Sequence, residues 1–134
     1  MSTRRKSRQA AASMLYALDV GNEDPLSFSS EILDDLKLKG DKRDFAEDLY
    51  RGTKANLSAI DEKITGKLTM GWSFERLGMV ERAILRLAVY EIAFTQTDNP
   101  VVINEAIELT KSLADDNAPK LINGILEAIR KDLM

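Results

Sequence analysis

The sequence contains neither cysteine nor histidine. Without cysteine there is no disulfide, no thiol nucleophile and no cysteine-based zinc site, and nothing implies an oxidising compartment. Without histidine the commonest general base near neutral pH and the commonest transition-metal ligand are both missing, so catalysis would fall to carboxylates, lysine, tyrosine or hydroxyls. No Gly-x-x-x-x-Gly-Lys-Ser/Thr or Gly-x-Gly-x-x-Gly string is present, which leaves nucleotide hydrolysis unsupported. No metal ligand motif appears, and paired acids such as Asp34–Asp35, Asp61–Glu62 and Asp115–Asp116 are sequence neighbours that point apart on a helix. A protein that is not an enzyme is expected, with no cofactor or metal. No apolar run reaches bilayer-spanning length, and the basic N-terminus leads into Ala, Ser and Tyr rather than a leucine-rich signal core. A soluble, cytoplasmic protein without membrane contact is expected.

What is present suffices for a core. Of 134 residues, 44% are hydrophobic and 31% charged, which suits a single domain over residues 1–134 and excludes long disorder. Charge is unevenly placed. Residues 1–18 hold Arg4, Arg5, Lys6 and Arg8 with no acid, a local +4, whereas the rest of the chain carries −7 within the total of −3.

Apolar spacing is helical almost throughout, and an all-α bundle of about seven helices is expected. The first helix runs from a Ser2 cap to Gly21, with Ala11, Met14, Leu15 and Leu18 on one stripe. A second begins near Ser27, faces Phe28, Ile32, Leu33 and Leu36 inward and ends at Gly40. Asp41 caps a long third whose stripe is Phe45, Leu49, Gly52, Thr53, Leu57, Ile60 and Ile64. A short turn capped by Ser73 holds Phe74 and Leu77. From Met79 to Phe94 nearly every side is apolar, so this helix belongs in the centre, and its charged Glu81, Arg82, Arg86 and Glu91 need a seam, an ion pair or a partner. Asn99–Pro100 opens a sixth helix with Val102, Ala106, Leu109 and Leu113 inward. Asn117 caps a seventh with Ile122, Ile125, Leu126, Ile129 and Leu133 inward.

Three places are candidates for binding. At about 100° per residue, Arg4 and Arg8 share the azimuth of Ala11, Leu15 and Leu18. Burial of two unpaired guanidinium groups is prohibitive, so the first turns are expected to overhang the body or lie along a groove, as a cationic rod. Arg5 lies on another side with Gln9, Ala12 and Tyr16. Such a rod suits a single-stranded polyanion through forked phosphate contacts and base stacking; the plain alternative is a frayed, soluble terminus. The start of the last helix, with Asn117 and Lys120, can hold a phosphate, although acids precede it and serve equally as dipole complements. Trp72, Phe74, Glu75, Glu81 and Arg82 form either a protein interface or a core plug at a helix joint.

Four strings in register give these places a common meaning: Arg4-Arg5-Lys6-Ser7-Arg8-Gln9-Ala10-Ala11 with Met14-Leu15-Tyr16, Val80 through Glu91, Val101 through Leu109, and Lys120-Leu121-Ile122-Asn123-Gly124-Ile125-Leu126. Together they resemble the NusB family of transcription antitermination factors over essentially the whole chain. The resemblance implies two packed three-helix bundles and no known enzymatic activity. It also implies binding of the single-stranded boxA element of ribosomal RNA leaders together with the small-subunit ribosomal protein NusE, in a complex that makes RNA polymerase resist termination. Carried onto this chain, the RNA-binding residues are Arg4, Arg5, Lys6, Arg8 and Tyr16, with Asn117, Lys120 and Leu121 at the last helix, and the NusE side includes Glu75 and Glu81. Leu121 stands where many relatives have phenylalanine, and Ala118–Pro119 replaces a common Ser-His pair. Four phosphate-neutralising cations would give a log–log salt slope of about −3. A helical module that binds only proteins is the alternative, and a homodimer through the partner surfaces is open. Some ribosomal RNA methyltransferases begin with a domain of this type, but that reading needs a Gly-rich cofactor segment that this sequence does not contain.

Overall fold

The computed structural model describes residues 3–21, 26–68, 73–114 and 117–133. Ser2, Trp72, Asp115 and Asp116, and the side chain of Phe28, lie outside the described residues. Seven α-helices and one 3-10 turn are found among the described residues, and no strand. They are α1 (Thr3–Asp19), α2 (Leu26–Asp35), α3 (Asp41–Ala55), α4 (Leu57–Thr65), the turn Phe74–Arg76, α5 (Met79–Phe94), α6 (Asn99–Leu113) and α7 (Ala118–Asp132).

α5 occupies the centre because it is apolar around its circumference, and every residue from Ala83 to Val89 is buried. Ala83 and Leu87 pack against Ala11, Met14 and Leu15 of α1 and Leu49 and Tyr50 of α3. Ile84, Leu85, Val89 and Ile92 belong to a second core with Ile60 and Ile64 of α4, Val102 and Ala106 of α6, and Ile122 and Leu126 of α7. The two halves, α1–α3 and α5–α7 with α4 laid on the latter, are therefore joined along one shared helix. Arg82, Arg86 and Glu91 of α5 find ion pairs in the seams. Arg86 donates to both oxygens of Asp61 at 2.9 Å and approaches Asp19 at 3.5 Å, while Arg82 lies 3.2 Å from Asp19. Both guanidinium groups face the Phe74 ring, which seats the 3-10 turn against α5.

Three expected boundaries are corrected. The long third helix is two helices, because Asn56 breaks it: its Nδ2 donates to Gly52 O at 2.8 Å and its N–H turns back to Thr53 O. An asparagine side chain competes for helix carbonyls in this way. The bend lets Leu49 and Tyr50 serve one core and Ile60 and Ile64 the other. The second helix stops at Asp35 rather than Gly40. Leu38 N–H bonds to Leu33 O and Lys37 N–H to Asp34 O, with Lys37 left-handed at φ 58°. This is a Schellman ending, stabilised by Leu38 packing on Leu33 in a small core with Ala10 and Ala46. α6 begins after Asp98, one residue ahead of the expected cap.

Gly52 is fixed by its neighbour: a Cβ there would overlap the ring and hydroxyl of Tyr90. Gly52→Ala is expected to cost about 1–3 kcal/mol through this overlap, read from the urea unfolding midpoint. An unchanged midpoint would show that Tyr90 moves away freely.

Candidate nucleic-acid interface

The first turn of α1 carries Arg4, Arg5 and Lys6 and no acid. Cations there oppose the helix dipole, each at a cost of about 0.3–1 kcal/mol, so helix stability does not account for their placement. Arg4 is exposed, its guanidinium 4.5 Å from the centroid of the Phe45 ring on α3. Lys6 is half-buried and forms no ion pair among the described residues. Ser7 anchors the turn by donating to Lys42 O at 2.9 Å.

Arg8 does not stand clear of the body, which corrects the expectation of an overhanging rod. It is 5% exposed and donates through Nε and Nη2 to the two carboxylate oxygens of Glu91 at 2.8 and 2.9 Å. Burial works against its charge, but the hydrogen bonds and charge of Glu91 outweigh that and raise its pKa. The premise of an unpaired guanidinium was wrong, because Glu91 is itself a buried charge on the central helix. The guanidinium also lies 5.5 Å from the Phe45 centroid. As placed, Arg8 offers no face to a ligand.

Arg5 is intermediate. Its Nε donates to Glu105 Oε2 at 2.8 Å and its Nη2 to Oε1 at 3.2 Å, yet its side chain is a third exposed. The hydrogen bond to Glu105 raises the Arg5 pKa. On the other side, the hydrogen bond from Arg5 outweighs burial and, with the charges of Arg5 and Arg8, holds the Glu105 carboxyl below the usual carboxylate range. Two of the four N-terminal cations are thus balanced by acids of α5 and α6.

Tyr16, 41% exposed, walls an apolar cleft of about 220 Å³ with Ala12 and Ser13 of α1, Val80 of α5 and Leu113 of α6. A second depression, of about 400 Å³, brings Asn117, which caps α7, and Leu121 of α7 to Glu81, Gly78 and Arg76. Two of the expected RNA-side residues, Asn117 and Leu121, and one expected partner-side residue, Glu81, therefore meet in one place. Lys120 is exposed on the first turn of α7, and Glu75 is exposed on the 3-10 turn. The described linings of the two depressions contain one cation, Arg76, and place the Glu81 carboxylate over Gly78. The basic ends of α1 and α7 are thus not joined by a run of positive charge through these depressions.

Sequence reasoning missed Glu91 and Glu105 as partners of the arginines. The signal for the first was legible, since an acid on an all-apolar helix and an arginine on an apolar stripe each require a counter-charge. The signal for Glu105 is weaker, because it sits at the edge of the α6 core stripe.

A two-core all-α bundle fronted by an arginine-bearing first helix defines a recognisable class of helical protein. The chain belongs to the NusB family, whose model matches residues 5–131. The transcription antitermination protein NusB of Sulfurimonas denitrificans is 49% identical over 132 residues, which cover 98% of this chain and 99% of that one. Among solved structures, the fold matches a chain in a crystal structure of a plectonemic RNA supercoil at TM-score 0.90 and 34% identity, covering 99% of this chain and 97% of that one. It also matches a chain in the crystal structure of the antitermination factors NusB and NusE in complex with dsRNA, at TM-score 0.88 and 33% identity, with 98% of each chain covered.

Removing one member of a buried pair strands the other. Arg8→Ala and Glu91→Ala are each expected to lose about 3–5 kcal/mol in urea denaturation, while Arg8→Met with Glu91→Leu recovers most of it. Single losses below about 1 kcal/mol, the value of a surface pair, would contradict the burial.

Proposed function

We propose that this protein is a non-enzymatic antitermination factor that binds single-stranded boxA-type RNA together with the ribosomal protein NusE, for assembly with RNA polymerase. The observation that carries the reading is the set of three cations in the first turn of α1, where the helix dipole disfavours them, followed along the same helix by an exposed Tyr16. Arg4, Arg5 and Lys6 take phosphates, Tyr16 stacks on a base, and Asn117, Lys120 and Leu121 add a second contact at the start of α7. Leucine at 121 offers apolar contact in place of aromatic stacking. Arg8 acts from beneath, holding α1 on α5. Solved relatives occur with RNA and with NusE and dsRNA, which supports both partners.

Glu75 and Glu81 supply the acidic side for a basic ribosomal protein. Because Glu81 and Asn117 line one depression, RNA and protein partner would lie close enough to strengthen each other through effective concentration. A protein-only module is favoured by one observation, the neutralisation of Arg5 and Arg8 by Glu105 and Glu91.

With Arg8 buried and Arg5 balanced, Arg4, Lys6 and Lys120 remain, and the log–log salt slope falls to about −2. Fluorescence anisotropy of a boxA-like RNA at two salt concentrations, with and without NusE, is expected to give that slope and tighter binding with NusE. Arg4→Glu with Lys6→Glu should weaken binding about ten-fold or more. RNA left unbound at low salt under both conditions, with NusE still captured, would establish the protein-only module instead. Glu75→Lys and Glu81→Lys are each expected to weaken NusE binding in calorimetry, and unchanged heats for both would remove the acidic face from the partner site.

A further inference from the structure

α1 and α6 flank a groove and run in the same direction. At one end Arg5 of α1 meets Glu105 of α6, and at the other Ser13 and Tyr16 share a cleft with Leu113. α5 forms the floor and runs the opposite way, from Val80 beside Tyr16 to Glu91 beneath Arg8. The Arg5–Glu105 pair is therefore a strut from wall to wall. Arg5, Gln9, Ala12 and Tyr16 fall on one stripe of α1, about 16 Å long from first to last.

A guanidinium has five donors and two edges on which an oxyanion can sit. Glu105 takes the Nε–Nη2 edge with both of its oxygens. That leaves both protons of Nη1 and one of Nη2. The carboxylate is the inner member of the pair, its side chain 12% exposed against 33% for Arg5, so the unused edge belongs to the outer, accessible group. An arginine free in solvent loses rotamer freedom on being fixed, and one already fixed by a carboxylate does not.

We infer that Glu105 is a positioning residue for RNA binding: it holds the Nε–Nη2 edge of Arg5 so that the Nη1 edge is presented to a backbone phosphate of the strand. This rests on the reading of α1 as the RNA-contacting surface. The opposite role, a carboxylate that competes with phosphate for Arg5, requires the pair to open. The pair makes no such demand, because one edge of Arg5 is already outside it. The pair then contributes directed hydrogen bonds with little net charge, so its effect falls on affinity more than on salt dependence.

The test is a double-mutant cycle on anisotropy of a boxA-like RNA, using the full chain with thermal melts by circular dichroism to confirm folding. Arg5→Ala and Glu105→Ala are each expected to weaken binding about ten-fold, and the double variant to be no weaker than Arg5→Ala alone. Glu105→Gln keeps the shape but has one oxygen for two donors, and is expected to bind less tightly than the unaltered chain. Tighter binding by Glu105→Gln would identify a competitor and overturn the inference. So would an Glu105→Ala loss that persists in full in the Arg5→Ala background. If the unaltered chain binds no RNA, the reading of the surface fails and takes this inference with it. If it binds normally and Glu105→Ala is equal to it, only the role of Glu105 fails.

Discussion

A guanidinium and a carboxylate buried together can be separated only by stranding a charge in a low-dielectric interior. The Arg8–Glu91 pair imposes that constraint between the first helix and the central one. It fixes where α1 lies along α5 and how α1 is rotated, and the rotation in turn decides where every other cation of the N-terminal stretch points. With Arg8 directed inward, Arg4 lies over Phe45, Arg5 reaches α6, and Tyr16 comes to the edge of an apolar cleft. Such a pair specifies a register more than it adds stability, since a well-packed apolar pair often serves stability as well or better.

The interface that follows is less cationic than a count of arginines implies. Local charge of +4 in the first 18 residues is offset by acids brought from α5 and α6, and the body beneath is acidic. In the proposed reading, recognition on such a surface would depend on the direction of donors and on apolar contact at Tyr16 and Leu121. Long-range attraction has a smaller part. The second contact proposed at α7 and the proposed protein partner nearby would suit an interface of that kind, because several moderate contacts held at fixed spacing combine without any one being strong.

Much of this was legible from residue order. The central helix was placed over its observed bounds because apolar residues on all sides leave no solvent face, and α6 and α7 were found within a residue through Pro100 and Pro119. What periodicity did not disclose were events of one side chain. Asn56 continues an apolar stripe that a wheel reads as unbroken, yet its amide takes a helix carbonyl and turns the chain. Lys37 adopts a left-handed conformation that glycine at position 40 seemed better suited to supply, because Leu38 gains burial by it. At the interface, azimuth placed Arg8 correctly on the core stripe, but accessibility was inferred from the cost of an unpaired charge. The counter-charge sits 83 positions away, beyond the reach of any local pattern.

The sharing of α5 has a consequence for how the molecule comes apart. Ala83 and Leu87 complete one core while Ile84, Leu85 and Val89 complete the other, so withdrawing this single segment opens both. Neither half retains a closed interior without it. Loss of structure is therefore concerted, and excision of either three-helix portion leaves a fragment with an apolar wound rather than an autonomous folding unit.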